Sequence, residues 1–243
     1  MFNIFSNNYL SRGPIEIAMK KFARNFHSDQ KVLDIGCGKK PYVKYFSCKY
    51  TGLDPYREVK PDIIANAWEI PVSENSFDGI IFNQSLEHIE KTAETILEIK
   101  RVLKPGGSCI ITVPQTMKIH SLPLSSQNSE YNNFDKANIP YWNNDFYRFT
   151  KFGLIYLFRD FQILELKEIS GYFGTLFQMM NYFFASLNIR YIFTPIYFVN
   201  NILGLFFDFI FFILSKINIR VFKRFYETIY LSLTLNYIMI VKK

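Results

Sequence analysis

Cysteine is scarce: Cys37, Cys48 and Cys109 are the only three in 243 residues, and none stands at metal-ligand spacing from another. No metal site or disulfide framework is expected, and the three read as reduced thiols in a cytoplasmic protein. Internal repeats and low-complexity linkers are missing as well. Met1 to Leu10 lacks a cationic leader, so a signal peptide is not expected. Long apolar runs are also lacking: a spanning helix needs ~20 such residues, and the stretch Ile202 to Leu214 falls short and contains Asp208. A carboxylate near the middle of a span adds roughly 2.5–3.5 kcal/mol against insertion. A spanning segment is therefore disfavoured, whereas a re-entrant or in-plane one stays open.

A basic face is missing from the first two thirds of the chain. The formal net charge is +7, and its surplus lies late. From Gly171 onward Arg190, Lys216, Arg220, Lys223, Arg224, Lys242 and Lys243 are set against only Asp208 and Glu227. The stretch before Gly171 is close to neutral, so nucleic acid is not an expected partner. What the chain has in excess is aromatic side chains, 18% of all residues, with nearly half of them between Gly171 and Leu233. Its length suits one α/β domain with room for a modest insertion.

The chain is organised around residues 32–54. Val32-Leu33-Asp34-Ile35 reads as a strand running into Gly36-Cys37-Gly38, and Pro41 opens a predicted helix to Phe46. A second strand, Tyr50 to Leu53, stops at Asp54, twenty residues after Asp34. This is the ligand edge of a doubly wound sheet. Glycines admit the backbone to a nucleoside, and a carboxylate ending the next strand can accept from both ribose hydroxyls. A dinucleotide fingerprint would want glycine where this chain has Pro41, which counts against NAD.

Around that stretch the patterning predicts the remaining elements. Gly13-Pro14 starts an amphipathic helix carrying Ile15, Met19, Phe22 and Phe26. Asp62 to Ala65 and Phe77 to Phe82 are the third and fourth strands, and a helix from Leu86 runs to Leu103. Ser108 to Val113 is the fifth strand. Gln115 to Asn144 is polar and aperiodic, the mark of a lid or a partly disordered loop. Thr150 caps a helix over Lys151 to Phe158. Phe161 to Ile169 and Leu235 to Val241 supply strands six and seven.

Four blocks carry a resemblance: VLDIGCG at 32–38, YTGLD at 50–54, FDGIIFNQSLEHI at 77–89 and LKPGGSCIITVP at 103–114. Together they resemble the class I S-adenosylmethionine (SAM) methyltransferases, in particular the broad type 11 group. Lys40 departs from that pattern, since the family often has a small residue there. NDFYRFTKFGL, with Asp145, Arg148 and Thr150, is similar to members from surface-polysaccharide clusters, and Pro114 with His120 fits their VP…H pairing. The resemblance implies a Rossmann-like, seven-stranded sheet with helices on both faces, built from 13–170 and 234–243, with an aromatic helical insertion at 171–233.

The resemblance also implies site roles. SAM would lie against Asp34, Gly36, Cys37, Gly38, Asp54, Pro55, Asn66, Ala67, Asn83 and Gln84. Asp34 would meet the methionine ammonium and Asn66 the adenine amine, although Asn66 is equally a plain turn residue. Tyr42, Tyr147 and Arg148 fall on the acceptor side, where Arg148 grips an anionic group or pairs with Asp145. His88, His120 and Asp145 are the candidate bases, His88 being otherwise structural. Glu87 reads as a solvated first-turn carboxylate. The expected acceptor is a small molecule or a lipid-linked glycan. The alternatives are a non-catalytic module of the same fold and, third, an NAD-dependent oxidoreductase.

Within the insertion, Ile219, Phe222, Tyr226 and Ile229 form one helical stripe with Arg220, Lys223 and Arg224 elsewhere on the wheel. A cationic, aromatic amphipathic helix is the pattern of a segment lying in a membrane interface. The expectation is a peripheral protein on an anionic inner face of the cytoplasmic membrane; an extra helical layer or a dimer contact is the other outcome.

Overall fold

Short runs with period-two burial build the sheet. In the strand β1 (Lys31–Ile35), Leu33 and Ile35 turn to one face and Val32 to the other. The computed structural model describes residues 3–118, 145–187, 189–217, 219–228 and 230–243. The remaining strands are β2 (Lys49–Asp54), β3 (Ile63–Ile64), β4 (Phe77–Asn83), β5 (Leu103–Pro114), β6 (Gln162–Ile169) and β7 (Asn236–Lys242). They form one sheet in the order β3-β2-β1-β4-β5-β7-β6, parallel except for β7, which runs antiparallel to both neighbours. The chain winds outward through β2 and β3, then restarts at β4 beside β1. A crevice opens there, at the carboxyl ends of β1 and β4.

Helices cover both faces. Ile15, Met19 and Phe22 of α1 (Tyr9–Ala23) pack with Val32, Ile81, Ile110 and Ile238. On the opposite face α2 (Thr92–Val102) and α3 (Lys151–Leu157) bring Ile96, Ile99, Val102 and Leu154 to Leu33, Ile80, Phe82 and Ile111. Thr150 caps α3 as expected, its side chain accepting from the Gly153 N–H at 3.1 Å. Thr150→Ala should cost about 1 kcal/mol in urea unfolding; an unchanged midpoint would mean the cap adds nothing.

Several elements depart from the sequence expectation, each for a visible reason. The helix α1 starts at Tyr9 and carries Pro14 inside it. Proline leaves the Leu10 carbonyl without its helical donor, and the Ser170 hydroxyl donates to that carbonyl at 3.1 Å. Pro41 does not open an α-helix; only a 3-10 turn forms, at Val43–Tyr45. The helix expected from Leu86 is a 3-10 turn at Leu86–His88, separated from α2. The Glu87 carbonyl accepts from the N–H groups of Phe146 and Tyr147, at 2.8 and 3.2 Å, instead of continuing a helix. Most of the expected lid, with His120, lies outside the described residues, as does Ile229.

The insertion between β6 and β7 holds α4 (Tyr172–Ser186), α5 (Arg190–Lys216) and α6 (Arg220–Thr228). The expectation of a short apolar segment is corrected: α5 has 27 residues, and Ile192–Lys216 is long and apolar enough to cross a membrane by length and composition. Its polar residues do not break it because they are bonded inward. Asn200 donates to the Asn181 side chain at 2.8 Å, and Asn181 to that of Asn201 at 3.0 Å. Asn201 in turn donates to the carbonyls of Ile4 and Ser6, at 2.6 and 2.9 Å. Asp208 accepts from the N–H groups of Gly171 and Gly174, at 2.7 and 3.1 Å, and so caps α4. The stripe expected on α6 is divided: Ile219 and Phe222 are exposed, whereas Tyr226 stacks on Tyr230.

Candidate active site

The turn after β1 is held open by its glycines. Gly36 and Gly38 have φ of +68° and +48°, in the left-handed region that glycine enters freely. A Cβ on Gly36 would stand 2.3 Å from Ser85 Oγ; one on Gly38 would meet nothing within 4 Å. The N–H groups of Gly36 and Cys37 donate to the Leu53 carbonyl, at 2.8 and 3.1 Å, which ties the turn to the end of β2. Gly38 N–H then donates to Asp54 Oδ2 at 3.0 Å, and Tyr56 N–H to Asp54 Oδ1 at 3.0 Å. Asp54 is thereby fixed at the crevice rim.

Lys40, the departure from the family pattern, also adopts a left-handed φ of 52°. Its side chain passes over Gly52 to Asp62, with Nζ 2.7 Å from Oδ2, and Asp62 accepts from the Gly52 N–H at 2.6 Å. These contacts tie the turn to β2.

Two adjoining cavities line the crevice. The first, of about 250 Å³, is walled by Leu53, Asp54, Pro55, Asn66, Ala67 and Trp68. The second, of about 320 Å³, meets Arg12, Asp34, Cys37, Gly38, Tyr42 and Asn83. Gly36, Gln84, Ser85 and His88 line both. All ten expected cofactor-side residues therefore reach one continuous crevice, and Tyr42 joins them.

The electrostatics divide along the same line. Asp34 is buried and accepts from the Tyr50 hydroxyl; burial pushes its carboxyl up to about 7, against that hydrogen bond. Burial pushes the Cys37 thiol up to about 12. Arg12 brings a positive charge to Tyr42 and Glu87.

The acceptor-side expectations fare differently. Arg148 forms a two-pronged ion pair with Asp145 through its two terminal nitrogens, which also reach the carbonyls of Tyr147 and Lys118 at 2.9 and 3.3 Å, while Nε has no hydrogen-bond partner among the described residues. Neither member of that pair, nor Tyr147, lines the two cavities. Of the two candidate bases among the described residues, His88 lines both cavities and Asp145 lines neither. Glu87 is not solvated: it is fully buried under the segment from Asp145, and burial pushes its carboxyl up to about 8. The sequence patterning does not point to Arg12, Tyr56 or Trp68, which also line the crevice. Arg12 gives no such signal because the patterning starts the helix one residue after it, at Gly13.

A family model described as a methyltransferase domain matches residues 9–162. The chain belongs to the class I SAM-dependent methyltransferases. SAM is the cofactor of this family. The chain is 26% identical over 128 residues to a demethylmenaquinone methyltransferase of Symbiobacterium thermophilum, covering 43% of this chain and 51% of that one. It spans about half the length of the curated relatives it matches. A SAM dependent methyltransferase from Archaeoglobus fulgidus superposes with a TM-score of 0.54 at 14% identity, over 96% of this chain and 95% of that one. The cyclase SpnF superposes with a TM-score of 0.56 at 15% identity, over 95% of the methyltransferase and 80% of its own chain. At these identities the structural likeness shows the fold alone.

Proposed function

We propose that this protein transfers a methyl group to a small-molecule or lipid-linked glycan acceptor at the cytoplasmic membrane face. The observation that carries the reading is one crevice combining an open glycine backbone with two buried carboxylates. That donor set suits SAM, a cation with a ribose diol. Asp54 would accept from the ribose hydroxyls, with Pro55, Asn66 and Ala67 beside the adenine. Asp34 would pair with the methionine ammonium, Arg12 with its carboxylate, and Asn83, Gln84 and the backbone from Gly36 to Gly38 would line its path. SAM supplies an activated methyl carbon with a neutral leaving group.

The residues of the chain then mainly position, since well-oriented reactants gain effective molarities of ~10⁵ M or more. His88 lines both cavities and is the group placed to take a proton from an acceptor hydroxyl, worth on the order of 10²–10⁴-fold. Asp145, committed to Arg148, is not. The likeness to surface-polysaccharide enzymes rests on Asp145, Arg148 and Thr150, and the membrane face on the exposed insertion.

A second reading, a non-catalytic module of the same fold, draws on the exposed apolar face of the insertion. Titration calorimetry with SAM, S-adenosylhomocysteine (SAH) and NAD separates them. The first two should bind and NAD should not. Asp54→Ala should weaken SAM by roughly 1.5–3 kcal/mol with the fold intact, the range for hydrogen bonds to a charged group. A native protein that ignores SAM would sink the enzyme reading; unchanged affinity in Asp54→Ala would remove only the ribose assignment.

A further inference from the structure

The hairpin of α4 and α5 is amphipathic in the wrong sense for a water-facing layer. Its polar side chains turn inward: Thr175, Gln178, Asn181, Asn200 and Asn201 are buried, and Asp208 caps α4. Its apolar side chains turn outward. Along α5, Ile192, Val199, Ile202, Leu205, Phe209 and Phe212 recur at helical spacing and are between 42 and 66% exposed. Beside them on α4, Leu176, Met180 and Phe183 are exposed at the same spacing. A surface helix in water puts its apolar stripe on the core; here the stripe faces out along the length of both helices. So large and continuous an apolar face marks an interaction surface.

Charge selects the occupant. At the end of α5 and the start of α6, Lys216, Arg220, Lys223 and Arg224 are all exposed. Between 190 and 228 the carboxylates are Asp208, which is turned inward as the cap of α4, and the exposed Glu227, so four exposed cations face one exposed carboxylate. Lys216 Nζ lies 5.1 Å above the Phe212 ring, its stem along the apolar face. Apolar area bordered by a surplus of cations is complementary to an anionic bilayer surface. We propose that the outer faces of α4 and α5, with the basic start of α6, dock this protein on anionic membrane.

Docking is in-plane. Crossing of the bilayer by α5, the one described helix long and apolar enough for it, would pull Asn200, Asn201 and Asp208 away from their partners on α4 and the N-terminal segment, and hydrocarbon offers none. The proposal rests on the membrane-face reading above and moves its contact from the α6 stripe to α5 and α4.

Flotation of the full chain with phosphatidylcholine vesicles, alone or mixed with phosphatidylglycerol, is the test, with SAH affinity measured in parallel. The native protein should float with the anionic vesicles and be released by high salt. The exposed pair Phe206→Ser/Phe209→Ser and the pair Lys223→Glu/Arg224→Glu should each cut the bound fraction by about tenfold or more. SAH affinity and melting temperature should stay unchanged in both. A native protein that stays at the bottom of both gradients overturns the proposal. So does flotation indifferent to the phenylalanine pair, or a dimer that this pair converts to monomer. Binding that resists salt overturns the in-plane placement. Flotation without SAH binding supports the docking surface and counts against the enzyme reading instead.

Discussion

The unliganded protein should lose stability as the pH rises from about 4.5 to about 8, and Glu87→Gln should remove a large part of that loss. Glu87 is fully buried, neither carboxylate oxygen has a hydrogen-bond partner among the described residues, and His88 Nε2 stands 3.8 Å from Oε1. Burial raises its carboxyl to about 8; Asp145 adds to the rise, and the charges of Arg12 and Arg148 oppose it. The folded state thus keeps a proton that the unfolded chain releases above its ordinary value of 4.5. Stability from this group is full below that value and is lost as the pH climbs through about 8. At ~1.4 kcal/mol per pKa unit, the loss is on the order of 5 kcal/mol. Asp34 acts in the same sense, over the window from 3.8 to about 7.

Glutamine keeps the shape of Glu87 and cannot ionise, so the variant should melt with a flatter pH profile. Asp34→Asn should remove the remaining slope at the acid end of the window. Thermal unfolding at a series of pH values checks both. A native protein equally stable at both ends of the window would show that these carboxyls are ionised and paired when folded.

What could be read from the sequence was what local signals set. The glycine turn, the carboxylate ending β2, the strand pattern and the Thr150 cap each depend on residues within a few positions of one another. What could not be read was settled by distant partners. Pro14 argues for a helix start until Ser170, 156 positions later, donates to the carbonyl that the proline strands. Asn200, Asn201 and Asp208 argue for a short helix until the N-terminal segment, α4 and the turn at Gly171 satisfy them. The same residues make the hairpin amphipathic in the outward sense, which no wheel drawn on α6 alone could show. At the site, Arg148 offered two roles, a grip on substrate or a pair with Asp145. Folding brings about the second. Arg12 sits in the cavity because α1 starts four residues earlier than its patterning suggests.

The glycine turn supplies the sharpest contrast. Gly36→Ala should lower SAH affinity by at least about a hundredfold and destabilise the fold, whereas Gly38→Ala should lower affinity with a smaller loss of stability. Both positions are left-handed, which costs an alanine roughly 1–2 kcal/mol. They differ in what the new methyl meets. At Gly36 it would come 2.3 Å from Ser85 Oγ and 2.8 Å from Ser85 Cβ. The hydroxyl can rotate away, but that Cβ is fixed to the backbone after β4, so the ends of β1 and β4 must part. These are the two strands between which the crevice opens, and Ser85 lines both of its cavities. At Gly38 the methyl would enter open space at the cavity wall, where it takes room from a ligand without displacing protein. Ser85→Gly removes the obstructing atoms, so the double variant with Gly36→Ala should recover stability lost to the clash while keeping the left-handed strain. Calorimetry with SAH and thermal melts of the four proteins decide the matter. If Gly36→Ala binds SAH like the native protein, the close approach of the turn to Ser85 is not what shapes the site.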